Sequence, residues 1–261
     1  MWIQIEVTTR CNLACFYCIG RTMPQRSMSE EVFKSVLKRL PQSSSMVSLQ
    51  GEGEPLLHPR IDSMAYRLQE RGHTTHTITN LAYKLTDHMQ RILNERFDHL
   101  GVSIDTLDAD FSEQIGRTGL ARVLKNLRHL CTVIDPRRIT ICSVYFGDEH
   151  VQAVAGLVAE LGLRRHLVQP LQTKEEYARC YDGGPKGQQR PQGSQLGCHF
   201  LETKRMQYFT LDGLELPCCF IKDVRGFQGK ESMRASLRQG VVPNVCRGCR
   251  EICTLPLSET R

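Results

Sequence analysis

Three cysteines lie within eight residues near the start of the chain. Cys11, Cys15 and Cys18 form a C-x₃-C-x₂-C run. Three thiolates so close together can converge on one cuboidal iron–sulfur cluster, and they leave its fourth iron without a protein ligand. Such an open iron is useful where a substrate or cofactor binds it. A zinc site completed by a distant ligand is the alternative, although zinc sites usually use paired C-x₂-C spacings.

A second group of six cysteines lies in the last part of the chain: Cys198, Cys218, Cys219, Cys246, Cys249 and Cys253. A strand at Met206–Leu211 followed by a turn at Asp212 and Gly213 predicts a hairpin, which would bring Cys198 and Cys218 together. Four thiolates without an open position suit an electron-transfer or structural cluster, and zinc fits the same geometry.

The composition indicates where such a chain would work. Twelve cysteines in 261 residues, with 40% hydrophobic and 24% charged residues, indicate a folded protein with reduced thiols. The first six residues lack the pattern of an export signal, and no apolar run is long enough to span a membrane. We therefore expect a cytoplasmic protein without a membrane partner. Two clusters would reduce the net charge of +6 to about +3, which is too little to indicate nucleic-acid binding.

Alternating strand and helix patterns occupy the first two thirds of the chain. Six strands are predicted at Trp2–Val7, Met46–Gln50, Thr74–Thr79, His99–Ile104, Arg138–Tyr145 and Arg164–Gln169. The helical patterns between them start after Ser29, which is suited to cap the first helix. This α/β alternation predicts a parallel sheet, and it stops near residue 180, whereas a closed eight-stranded barrel takes about 250 residues. We therefore expect an incomplete barrel or an open sheet.

The predicted domain boundary is a change in composition. Residues 182–197 are rich in Gly, Pro and Gln and predict a linker or loop between a first domain, 1–181, and a small second domain, 198–261. Besides its hairpin, the second domain carries a short helix pattern at Ser232–Gln239. So small a unit buries little apolar surface, so that a metal site is the expected source of its stability.

The first cysteine run resembles the signature of the radical S-adenosylmethionine (SAM) enzymes. The resemblance implies a partial (β/α)₆ TIM-like barrel, a [4Fe–4S] cluster on Cys11, Cys15 and Cys18, and SAM on the open iron. The segment Gly51, Gly53, Glu54 and Pro55 is similar to the glycine-glutamate-proline segment with which this family holds the SAM amino group. Glu52 replaces the first glycine of the usual pair.

Four polar residues follow later predicted strands. Thr79, Asn80, Ser103 and Asp105 are similar in placement to the ribose and carboxylate contacts of the family, although polar residues at strand ends are also common caps. The resemblance further suggests Tyr17 for the adenine contact. Tyr17 and its neighbour Phe16 could instead shield the cluster from solvent.

The second cysteine group resembles the auxiliary-cluster domains of these enzymes, called SPASM and twitch. The resemblance implies an auxiliary [4Fe–4S] cluster held by Cys198, Cys218, Cys246 and Cys249. Because the final run is shorter than the C-x₂-C-x₅-C-x₃-C run of SPASM domains, we expect one auxiliary cluster rather than two. Cys219 and Cys253 are then spare thiols, and either could replace one of the four ligands.

The family implies cleavage of SAM to a 5′-deoxyadenosyl radical that takes a hydrogen atom from the substrate. We expect a two-electron dehydrogenation of a small molecule such as a sugar or cyclitol, similar to the reaction of the inosamine dehydrogenase of aminoglycoside (natural-product) assembly. The auxiliary cluster would accept an electron, and flavodoxin or ferredoxin would serve as the reductant. One alternative is an epimerase with a hydrogen-donating thiol, for which Cys180, Cys219 and Cys253 are candidates. Another is a peptide maturase, which the ten residues before Cys11 make less expected. A non-enzymatic iron–sulfur or zinc carrier or adaptor is the alternative of another class. No residue stands out as the general base.

Overall fold

The computed structural model describes residues 2–179, 195–203 and 206–255 of the chain. In chain order its strands are β1 Trp2–Ile5, β2 Met46–Leu49, β3 Thr74–Thr79, β4 His99–Ser103, β5 Ile139–Val144, β6 Arg165–Gln169, β7 Leu196–Cys198, β8 Met206–Phe209, β9 Glu215–Leu216 and β10 Ile252–Thr254. Its α-helices are α1 Glu30–Arg39, α2 Ile61–Gln69, α3 Asp87–Glu95, α4 Ala109–Gln114, α5 Leu120–Val133, α6 Asp148–Glu160, α7 Glu175–Ala178, α8 His199–Thr203 and α9 Lys230–Arg238.

Strands β1 to β6 form one parallel sheet in chain order, with helices between successive strands. The predicted partial (β/α)₆ barrel is therefore confirmed. Side chains alternate along each strand, so one face of the sheet is buried against the helices and contributes Ile3 and Ile5 to the main core with Phe33 of α1. The opposite face is left for polar residues such as Gln4 and Glu6.

Local sequence signals explain where several helices begin. Ser29 accepts a hydrogen bond from the backbone N–H of Val32, as its predicted capping role requires, and Thr86 caps α3 in the same way. Such caps satisfy backbone donors that the first turn of a helix leaves without partners.

The C-terminal hairpin extends the barrel sheet. Strand β8 pairs in parallel with β1, and β9 pairs antiparallel with β8, so the large sheet has eight strands in the order β6-β5-β4-β3-β2-β1-β8-β9. Gly213, with φ of 76°, takes the left-handed conformation in the predicted turn. The sequence predicts the hairpin but not its pairing with β1, which covers an edge of the sheet that would otherwise be unpaired.

The rest of the C-terminal segment has a small core of its own. Strands β7 and β10 form a two-stranded antiparallel sheet, and α9 packs nearby with Met233 and Leu237 buried. The position of α9 agrees with the helix pattern predicted at Ser232–Gln239, whereas the pairing of β7 with β10 was not predicted. Most of the predicted linker, 182–197, lies outside the described residues, and in the described part of the chain no helix is both long and apolar enough to cross a membrane.

Candidate active site

The first cysteine run lies in the loop that leaves β1 at the carboxyl end of the sheet. Cys11 is exposed, Cys15 is buried and Cys18 is intermediate. Backbone hydrogen bonds from Ala14 and Phe16 to the turn after α4 hold this loop in place. Burial raises the pKa of all three thiols above the ordinary value for cysteine, so thiolate formation here has to be coupled to metal binding.

The donor set suits an iron–sulfur cluster. Within residues 2–179, 195–203 and 206–255, no three His, Cys, Asp or Glu side chains lie close enough to hold a single metal ion. A tetrahedral zinc draws its thiolates to within about 2.3 Å of one point, whereas a four-iron cluster spreads them more widely. Three thiols on one loop, which in the described residues form no metal-holding group with a fourth side chain, fit a cluster with one open iron.

The segment after β2 packs directly on this loop. A Cβ at Gly53 would lie 2.5 Å from the carbonyl oxygen of Arg10, and a Cβ at Gly51 would lie 2.4 Å from Cγ of Glu6. The backbone N–H of Glu54 donates to the same Arg10 carbonyl at 2.8 Å. Glycine at position 53 thus allows the close approach of two backbones, and glycine at position 51 leaves room for the Glu6 side chain. Pro55 then starts a short buried turn.

Glu54 is a buried carboxylate that forms no ion pair in the part of the chain that the structure describes. It is 2% exposed and accepts hydrogen bonds from Thr79 Oγ1 at 2.9 Å, from the N–H of Asn80 at 2.7 Å and from the N–H of Leu56 at 3.2 Å. Burial raises its pKa to about 7 although these donors lower it. In the described ranges no ion pair includes Glu54, so an ammonium group of a ligand would match its charge.

The raised pKa of Glu54 predicts a pH-dependent stability. Between its ordinary pKa of 4.5 and about 7 the folded protein binds more protons at this group than the unfolded chain, so its contribution to stability falls as pH rises. The free energy of unfolding of the metal-free protein, minus that of Glu54→Gln, should fall by about 3 kcal/mol across this range. Urea unfolding of both proteins from pH 4 to pH 8 measures it, and a constant difference would contradict it.

Thr79 and Asn80 support Glu54 and the cysteine loop. Besides the bonds to Glu54, the side-chain amide of Asn80 donates to Cys11 Sγ at 3.7 Å and to Asn12 Oδ1 at 2.9 Å. The end of β3 therefore connects the carboxylate to the thiols. The ribose contact suggested for these two residues stays a prediction.

Asp105 and Tyr17 share a buried group with Arg117, a residue that the sequence analysis did not predict. Arg117 Nη1 donates to the Tyr17 hydroxyl at 2.8 Å and to Asp105 Oδ2 at 3.3 Å, while Nη2 donates to the carbonyl of Ser103 at 2.7 Å. The Tyr17 hydroxyl donates to the same carboxylate oxygen at 2.5 Å. Arg117 lies in a Gly-Arg-Thr-Gly stretch, which in sequence resembles an exposed turn and gives no signal of burial.

Several of these side chains border one small cavity, which is lined in part by Leu13, Asn80, Ser103, Asp105 and Arg117. The structure thus brings three of the four predicted strand-end residues together beside the cysteine loop. The ring of Tyr17 contacts the rings of Phe16 and Phe146, each with centroids 5.5 Å apart, and contributes to an aromatic wall there. Its role toward adenine stays a prediction.

The four thiols proposed for the second cluster collect in one place. Cys198, Cys218, Cys246 and Cys249 are 5–6% exposed and belong to the same small core. Cys253 is exposed on β10, and Cys219 lies at intermediate exposure beside Lys222 and Glu52. Cys180 lies outside the described residues. Of the remaining thiols, Cys131 packs against the main core and Cys142 lies on β5.

A buried polar network lies between the two thiol groups. Glu52 Oε2 is 3.5 Å from Cys18 Sγ, and Glu52 Oε1 accepts from Tyr177 at 3.2 Å and from Lys222 Nζ at 2.9 Å. Lys222 also reaches Tyr208 and Glu6. Burial works to lower the pKa of Lys222, but Glu52 and other neighbours raise it well above its ordinary value. In the sequence only Glu52 was noticeable, as the departure from the glycine pair.

Several curated proteins are similar to this chain. A probable GTP 3′,8-cyclase of Methanococcus maripaludis is 23% identical over 179 residues, covering 66% of this chain and 60% of that protein. An S-adenosylmethionine-dependent nucleotide dehydratase of a Thermoplasmatales archaeon is 30% identical over 115 residues, covering 44% and 41%. The chain thus spans less than two thirds of the length of these relatives.

Solved structures share the fold. SuiB of Streptococcus suis, bound to S-adenosylmethionine, matches with a TM-score of 0.66 and 16% identity over 86% of this chain and 61% of that one. BtrN in complex with AdoMet and 2-DOIA matches with a TM-score of 0.54 and 17% identity over 92% and 87%. The Radical SAM superfamily model matches residues 5–160, more than half of the 261-residue chain. These residues include the cysteine loop, the Glu54 segment and β2 to β5, so the chain belongs to the radical SAM superfamily.

Proposed function

We propose that this radical SAM enzyme carries out a two-electron oxidation of a small molecule such as a sugar or cyclitol. The observation that carries the proposal is the second thiol group: four buried cysteines gather in one core, and the buried polar side chains around Glu52 connect that segment to Cys18. A redox centre held by these cysteines would provide a second place for an electron. The likeness to BtrN, which was solved with AdoMet and 2-DOIA, supports a small-molecule substrate.

The residues of the first site have distinct tasks. Cys11, Cys15 and Cys18 would hold a [4Fe–4S] cluster, which when bound and reduced by a partner such as flavodoxin or ferredoxin supplies the electron that splits SAM and generates a 5′-deoxyadenosyl radical. Glu54, held by Thr79 and Asn80, would receive the ammonium of SAM. Asn80, Ser103 and Asp105 border the cavity next to the cysteine loop and would position the rest of that molecule away from water.

The second site would determine the outcome of the reaction. Cys198, Cys218, Cys246 and Cys249 would hold an auxiliary [4Fe–4S] cluster with no open position, which supplies an acceptor for one electron. Dehydrogenation removes one hydrogen atom, which the 5′-deoxyadenosyl radical would take, then one electron, which the auxiliary cluster would accept, and one proton, which would pass to water. Because all four thiols are used, the cluster would bind no substrate and would serve electron transfer alone.

A second candidate reaction is epimerisation, in which a protein thiol returns a hydrogen atom to the substrate radical. Cys219 favours it, because this thiol has intermediate exposure and lies near Glu52 and Lys222, whereas Cys253 is exposed on β10. SuiB was also solved with its precursor peptide SuiA, which keeps peptide modification as a third candidate. Solvent deuterium at a carbon of the product would favour epimerisation, and an oxidised product without it would favour dehydrogenation.

A matched pair of variants tests the role of the second thiol group. Anaerobically reconstituted Cys249→Ser should lose about four irons per chain, while Cys253→Ser, in the same segment but exposed, should keep them. Both should still form 5′-deoxyadenosine from SAM, since the first site is unchanged. Iron analysis and chromatography of the nucleoside measure this. Full iron in Cys249→Ser, or the same loss in Cys253→Ser, would remove the proposed auxiliary cluster from these ligands.

A further inference from the structure

The network between the two thiol groups is built from buried polar side chains. It consists of Glu6, Glu52, Tyr177, Tyr208 and Lys222, which we call the Glu52 network. The side chains of Glu6 and Lys222 are only 3% and 4% exposed, and that of Glu52 is 17% exposed. Burying charged groups is costly unless they serve a partner or a function. The superfamily assignment of the cysteine loop and of Glu54 leaves this network without a role.

The only cation of the network has no donor to spare. Lys222 Nζ lies 2.9 Å from Glu52 Oε1, 3.4 Å from Glu6 Oε1 and 2.9 Å from the Tyr208 hydroxyl. An ammonium has three N–H donors, and these three contacts use them all. Lys222 therefore cannot bind an anionic ligand without giving up one of its partners.

The network holds more negative than positive charge. Two carboxylates, Glu6 and Glu52, face one ammonium, Lys222, so the formal balance is −1. Arg26 and Asp212, which line a cleft next to the network, form an ion pair whose two charges cancel. A cationic ligand group would neutralise the excess, and in a dry site such compensation is strongly favourable.

One buried acceptor beside the network also needs a donor. Gln50 follows Leu49, whose β1 partner is Ile5, so Gln50 lies beside Glu6 on the same face of the sheet. Its Oε1 is buried, and the described part of the chain offers it no donor.

A cleft leads to this network from outside. Its walls come from the cysteine-loop side (Met23 and Pro24) and from the C-terminal segment (Leu211, Leu214, Ile221 and Val224), and Glu6, Tyr208 and Lys222 also line it. Its empty volume is about 610 Å³, including the open mouth. An apolar cleft with a few polar groups at one side is the usual form of a small-molecule site.

We propose that the Glu52 network is the substrate-recognition site and that it binds the ammonium group of an amine substrate in this cleft, with Glu6, which lines the cleft, as the acceptor and with the charge of Glu52 behind it. This inference rests on the proposed function, because it places the substrate between the two thiol groups. Glu52 occupies the position of a family glycine, so amine recognition would be a property of this chain's own residues. Lys222 holds the two carboxylates in place, and Tyr177 fixes the orientation of Glu52.

Matched probes test the proposal by direct binding. The cluster-loaded, SAM-bound protein is titrated calorimetrically with an aminocyclohexanol and with the corresponding cyclohexanediol, which differ in one ammonium group. The amine should bind at least about tenfold more tightly than the diol. Glu52→Gln should reduce this preference to below about threefold. Glu6→Gln should reduce the preference to the same extent, and it leaves Glu52, which lies beside Cys18, unaltered.

The control variant is Glu215→Gln, which removes a carboxylate paired with Lys230 outside the cleft and should keep the full preference. Equal affinities, tighter binding of the diol, or no binding of either probe would overturn the inference. So would a Glu52→Gln variant that keeps the amine preference but binds SAM more weakly, since Glu52 would then serve SAM. Release of 5′-deoxyadenosine by the unmodified protein is measured separately, so the amine site can fail while the proposed reaction class stands.

Discussion

Cys18→Ala, reconstituted anaerobically and supplied with SAM and dithionite, forms no 5′-deoxyadenosine above the uncatalysed background, whereas the unmodified protein forms it. The expected loss is at least about a thousandfold, or about 4 kcal/mol in the barrier. The reason is the number of donors. The loop offers Cys11, Cys15 and Cys18 without a fourth protein ligand, so losing one leaves two thiolates, which are too few to hold a cluster and present an open iron to SAM.

The comparison needs a thiol variant that removes a sulfur elsewhere. Cys131→Ala is suitable, because Cys131 lies partly buried on α5 and packs against the main core away from the loop. It should keep both its iron and its nucleoside formation. Iron content, the visible absorption of the cluster and the nucleoside are measured on the same samples. If Cys18→Ala formed the nucleoside at the normal rate, the assignment of this loop would be wrong.

The parts of the fold that could be predicted from the sequence are those set by local patterns. Strands β1 to β6 and the helices between them follow from apolar periodicity and from caps such as Ser29, since both act within a few residues. The parallel pairing of β8 with β1 joins segments about two hundred residues apart. Nothing in either strand alone specifies that register, because several strands of the same length and pattern compete for the edge.

The candidate site likewise contains residues that could be predicted from the sequence and residues that could not. Cys11, Cys15, Cys18 and Glu54 were predictable because short motifs carry them. Arg117 and Lys222 were not, since each is buried only through partners that are distant in sequence. Two residues of the network around Lys222, Tyr177 and Glu52, are for example 125 residues apart in the sequence. A charged residue in a loop is usually solvated, so its burial becomes visible only when the fold brings its partners together.

Arg117 provides the largest expected effect on stability. Its side chain is 12% exposed and that of Asp105 is 1% exposed. Replacing Arg117 with Met removes the cation and leaves the Asp105 carboxylate buried with the hydroxyl of Tyr17 and the N–H of Val144 as donors. Breaking one side of a buried ion pair typically costs about 3–5 kcal/mol, because the remaining charge has lost its compensation. We expect a loss in this range for Arg117→Met by urea unfolding.

The double variant Asp105→Asn with Arg117→Met separates this electrostatic cost from lost packing. Asparagine at 105 keeps an oxygen for the N–H of Val144 and carries no charge, so the double variant should be more stable than Arg117→Met alone by about 2 kcal/mol. Asp105→Asn alone should also be destabilised, because it leaves the guanidinium without its carboxylate. If the two single losses were simply additive, the charges would not be coupled. The loss of stability in Arg117→Met would then come from altered packing of the cysteine loop, in which Tyr17 lies between Cys15 and Cys18. The Arg117 guanidinium would hold that loop by its shape rather than by its charge.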